Sequence, residues 1–138
     1  MAVAMTSGDV WVLHTQQIAT SADLAGKSLI TFAGAAPANG AASVAGVIAK
    51  DTPSGDTADV KICPSIVQVI ATGTVTAGNM VEALQGTVYA NINGVSTSTT
   101  SAGVQNLASG YPIGRALSSS DVDGSVLVAL IVNQVKSA

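Results

Sequence analysis

The chain has 138 residues, a formal net charge of −3, a single cysteine, and charged side chains at only 9% of positions. This length suits one domain, large enough to bury roughly two-thirds of its unfolded surface without a stapling disulfide or metal. The five cations, Lys27, Lys50, Lys61, Arg115 and Lys136, are scattered, which argues against the clustered basic face that nucleic acid requires.

The first twelve residues lack a basic stretch and include Asp9, a poor match to a secretory signal. Residues 1–20 mix Thr15, Gln16, Gln17 and Thr20 with a few apolar positions and read as an N-terminal arm or loosely attached strand. Residues 21–138 then read as a single β domain. Short runs rich in Val, Ile and Thr suit a pleated, half-buried surface. They predict strands at Val10–Leu13, Ser28–Phe32, Val44–Ala49, Ala58–Ile62, Ile66–Ala71, Met80–Ala83, Thr87–Asn91, Ile113–Ala116 and Val126–Val132. Between them, Asn39-Gly40, Gly55-Asp56, Gly78-Asn79, Asn93-Gly94 and Asp123-Gly124 supply residues that tolerate positive φ, as tight turns demand.

Ala77–Gln85 has an alternative reading as one short helix, with Met80, Val81 and Leu84 on one face. Val95–Ser101 is a low-complexity Ser/Thr stretch and reads as an exposed loop. Val126–Val132 is apolar throughout, which suits a central strand covered on both faces; it is too short to span a membrane as a helix. A strand, glycine-turn, strand phrase occurs twice, from Val44 to Ile62 and from Ile113 to Val128, each with a glycine inside its first strand. The predicted fold is all-β and mainly antiparallel, a compact barrel or sandwich with an extended N-terminal arm.

Motifs for chemistry are sparse. His14 is the sole histidine, with no Cys or Asp at zinc-ligand spacing, and no G-x-S-x-G elbow occurs. Cys63 precedes Pro64 and reads as a buried, inert thiol. Gly26-Lys27-Ser28 imitates the end of a phosphate loop, but Ser21 stands where its first glycine is required, and a strand rather than a helix follows. Asp51, Asp56, Asp59, Asp121 and Asp123 flank glycine turns without calcium-loop spacing and read as turn-capping acids. Trp11, Phe32, Tyr89 and Tyr111 are too few to form a base-stacking platform. No enzyme, metal or cofactor is expected.

Several phrases, in order, resemble the phage capsid cement, or head decoration, protein family: Ala45-Gly46-Val47-Ile48, Gly55-Asp56, Val60-Lys61-Ile62, Gly73 to Val81, Gly86-Thr87-Val88, Ile113 to Leu117, Asp123-Gly124, and the closing Val126–Ile131. They cover roughly the last four-fifths of the chain. Asn79 stands where the family usually has Asp, and Val95–Gly110 is longer than usual there. The resemblance implies a β domain made in the host cytoplasm and seated, often as a trimer, on the outer surface of an icosahedral head. There it would bridge major capsid protein subunits and stabilise the shell. It carries no catalytic residues, and the scattered cations and short apolar runs point to no nucleic-acid or membrane partner.

Sparse charge agrees with a surface that becomes covered, and a lattice of many copies makes modest contacts sufficient. Val10, Trp11 and Val12 are the candidate capsid contacts, with Trp11 as anchor, because tryptophan is enriched at binding hot spots. A carbohydrate- or receptor-binding β module, reading through the Val95–Ser101 loop, is the alternative expectation.

Overall fold

The computed structural model describes Gly8, Asp9 and residues 11–131, with the backbone alone described at Trp11 and Leu13. Its eight strands among these residues are β1 Trp11–Ala19, β2 Leu29–Thr31, β3 Val44–Ile48, β4 Thr57–Ile70, β5 Met80–Ile92, β6 Val95–Asn106, β7 Gly114–Ala116 and β8 Ser125–Leu130. All strand pairings are antiparallel, in the order β1-β4-β3-β2-β6-β5-β7-β8. A further β4–β8 pairing closes β4 through β8 into a seven-stranded barrel, with β1 as an extra strand on β4. The expectation of an all-β, antiparallel barrel is met.

The turns form where backbone freedom was read from the sequence. At each of the five dipeptides at least one residue has positive φ: Gly40, Gly55, Gly78, both Asn93 and Gly94, and Asp123. The polar Val95–Ser101 stretch, expected as a loop, is instead the first half of β6. Asn93-Gly94 makes a tight hairpin, and β5 and β6 keep twelve cross-strand pairs in unbroken register from Ile92↔Val95 to Val81↔Asn106. Threonine is β-branched and suits a strand, and the polar side chains that turn inward find partners. Thr99 Oγ1 donates to the Val88 carbonyl at 2.8 Å and lies 2.9 Å from Ser101 Oγ.

Met80–Ala83 and Thr87–Asn91 fuse into β5, which excludes the alternative helix over Ala77–Gln85. Ala58–Ile62 and Ile66–Ala71 likewise fuse into β4. Pro64 is accommodated because β1 pairs as Val12↔Ser65 and then His14↔Ile62. Two β4 residues, Cys63 and Pro64, thus face Leu13 alone, and a bulge tolerates the missing proline N–H.

The core has two main parts. The larger one joins Leu29, Val47, Val67, Val69, Val81, Val104, Ile113, Val126 and Val128; the second joins Ile18, Leu24, Ile30, Ile48, Ala58 and Val60. Val12 and Ile18 are both buried. Over Trp11–Ala19 the expected arm or loosely attached strand is strand β1, paired antiparallel with β4.

The repeated phrase has a common geometry. Gly46 in β3 lies against the Lys61 carbonyl of β4, and Gly114 in β7 against the Ala129 carbonyl of β8. In each case a Cβ would collide with the backbone of the following strand, so the glycine permits the close approach.

Candidate interaction surface

The N-terminal end of the described chain is fixed from below. Asp9 Oδ2 lies 2.7 Å from Lys61 Nζ, and neither side chain is exposed. Asp9 Oδ1 also accepts the Gln68 N–H at 2.9 Å. Lys61 stands on β4 between the buried Val60 and the half-buried Ile62, where an unpaired charge would be costly. Nothing in the sequence points to this pair: the two residues are far apart along the chain, and Asp9 lies outside the strands described.

Val10, the first candidate contact, lies outside the described residues. The Trp11 backbone pairs with Ile66 on β4. Val12 is buried in the larger core cluster, so its side chain is used within the fold.

Among the described side chains, several large apolar ones reach the surface. Phe32 is 65% exposed and Tyr89 72%, and Val95, Val122 and Leu117 are exposed as well. Phe32, just past β2, borders an apolar groove of about 330 Å³ with Val44, Ala45, Ile62, Cys63 and Ile131. Tyr89 borders a second cleft of about 310 Å³ with Ile70, Thr87, Val88 and Asp123. Alternation on β5 identifies Tyr89 as outward-facing, but Phe32 follows the buried Leu29 and Ile30 and lies just past the end of β2.

The outer face of the β5–β6 hairpin carries Thr87, Tyr89 and Asn91, paired with Thr100, Ser98 and Ser96, and all six are exposed. Its inner face packs Ala90 and Ile92 on Ala25, beside Ile70 and Val88. From Ala83 through Gly114 no residue is charged.

Several carboxylates serve the backbone. Asp51 accepts the Gly26 N–H through Oδ1 and the Asn91 N–H through Oδ2, both at 2.7 Å. Asp23 accepts the Ser54 N–H at 2.8 Å. Buried Glu82 accepts the N–H groups of Ala108 and Gly110, at the edge of a cleft of about 420 Å³ shared with Asn39, Gln105 and Tyr111. Among the described residues no three His, Cys, Asp or Glu side chains converge on a common point. Cys63 Sγ donates to the Leu130 carbonyl at 3.3 Å, and burial pushes its thiol pKa up, away from thiolate. Lys27, of the imitation phosphate loop, has φ +64 in a turn leading into β2.

No protein-family model matches the chain, and no curated protein or solved structure matches it.

Proposed function

We propose that this protein is a structural component of a phage head, bound to the outside of the capsid and bridging major capsid protein subunits. The observation that carries the reading is the exposed Phe32 beside its apolar groove, on a chain so poor in charge. An aromatic side chain standing over an apolar cleft is the usual anchor of a protein contact. Bridging asks for a rigid body, and a closed barrel whose strands are tied by main-chain ladders meets that need. The order of the family-like phrases supplies the identity of the partner. Undecorated heads mixed with purified protein should bind it saturably and gain resistance to heat. Phe32→Ala should weaken that binding while leaving the barrel folded. Failure to bind cognate heads would remove the proposal.

A second reading is favoured by the hairpin face, where Tyr89 stands among Asn91, Ser96 and Ser98. One aromatic ring among hydroxyl and amide groups suits a sugar. A glycan array giving a defined preference that Tyr89→Ala abolishes would support carbohydrate binding; a blank array would leave the capsid reading alone.

A further inference from the structure

We propose that the outer edge of β6 is a contact for a second copy of this chain, paired antiparallel about a two-fold axis at Ser98. The argument begins with the direction of the backbone groups. The Val104 carbonyl accepts the Thr72 N–H, and the Asn106 N–H donates to the Thr74 carbonyl, both outside the hairpin. In an antiparallel ladder, residues alternate in the edge to which they turn their N–H and C=O. The β5–β6 register is unbroken, so Ser96, Ser98 and Thr100 turn theirs the same way, away from β5. Among the described residues the only strand paired there is β2, and it reaches only Ala102, opposite Leu29.

The two edges of the hairpin differ in how they are protected. On β5, the Gln85 N–H is capped by Asn39 Oδ1 and the Asn91 N–H by Asp51 Oδ2. On β6, among the described residues, no such cap takes up the main-chain groups of Ser96, Ser98 or Thr100. Proteins commonly blunt an exposed edge with lysine, proline or a bulge. The β6 edge has none of these, and no charge lies on either hairpin strand beyond Glu82.

Such an edge complements itself. With Ser98 opposite Ser98, Ser96 of each copy faces Thr100 of the other. The two hairpins then form one four-stranded sheet with about six new main-chain hydrogen bonds. No like charges meet across the junction. The contact is two-fold, unlike the three-fold arrangement that the family resemblance implies, and it stands apart from the capsid proposal.

Sedimentation of the full chain tests it. Wild type should show a concentration-dependent dimer. Ser98→Lys places two cations across the axis and should weaken association roughly tenfold or more, as should Ser98→Glu. An equimolar mixture of the two variants should restore a dimer. Ser98→Pro removes an N–H that no strand of the barrel uses, and should also give a monomer with its denaturation midpoint little changed. A wild-type monomer at every concentration reached would overturn the proposal. So would a dimer or trimer whose association Ser98→Lys leaves intact.

Discussion

Asp9 and Lys61 form an ion pair sealed entirely inside the protein, with Oδ2 and Nζ 2.7 Å apart. The pair ties the chain just before β1 to the middle of β4, and Asp9 adds a bond to the Gln68 backbone. Removing one partner of a buried pair leaves an uncompensated charge, at about 3–5 kcal/mol. Lys61→Met and Asp9→Leu should each lower unfolding free energy by that order. The double variant should recover much of the loss, since replacing both charges by apolar groups is far milder than removing one. Urea denaturation of the three variants measures the coupling. Additive losses would show that the pair does not act as a unit.

The glycines divide into two classes with different expected costs. Gly46 and Gly114 sit against carbonyls of the next strand, where an added Cβ meets backbone that cannot swing aside. Gly55 and Gly78 have φ near +90° but face open space. Alanine at the latter pair should cost about 1–2 kcal/mol, from backbone conformation alone. Alanine at Gly46 or Gly114 should cost more, about 3 kcal/mol or above, because the barrel must open locally. Similar midpoints in thermal melts of Gly46→Ala and Gly55→Ala would contradict the distinction.

The barrel was legible where local chemistry decides structure. Asn93-Gly94 announced its turn, and the unbroken apolar run near Val126 announced a strand inside the sheet. The Ser/Thr stretch was misleading because low hydrophobicity signals solvent exposure, whereas Thr99 and Ser101 are buried with their hydroxyls bonded. Sequence periodicity cannot see the distant partners that make such burial tolerable. The same limit hid Asp9 and Lys61, which meet only after β4 is in place. Surface exposure likewise depends on how the barrel closes, and among the described side chains Phe32 and Tyr89 are aromatics that it leaves outside.

Cys63 offers a pH-dependent readout. Burial raises its thiol pKa above the ordinary 9.0, because a thiolate is poorly solvated there. As pH rises past the ordinary value, the unfolded chain ionises first while the folded thiol stays neutral. The stability this group contributes is therefore fully present below about pH 9, and is lost as pH climbs through the folded pKa. Iodoacetamide should alkylate native Cys63 more slowly than the unfolded chain at pH 8, with its rate rising at higher pH than for a free thiol. Cys63→Ala should flatten that part of the pH–stability curve.

Ser101 supports the hairpin from beneath. Its Oγ accepts the Ala25 N–H at 3.1 Å and meets Thr99 Oγ1, all within buried surroundings. Ser101→Ala removes the acceptor and leaves the Ala25 N–H enclosed, at about 1–3 kcal/mol. Thr99→Val preserves shape but withdraws the donor to the Val88 carbonyl, and should cost about 1 kcal/mol. The two losses should not add, because each variant already breaks the shared hydroxyl contact. Hydrogen exchange locates the effect: in Ser101→Ala the amides of Ala25, Ala90 and Ile92 should exchange faster, since that small cluster lies between the hairpin and the barrel. Acceleration spread evenly over β4 and β8 would instead mean that Ser101 stabilises the whole barrel, and that the hairpin has no separate opening of its own.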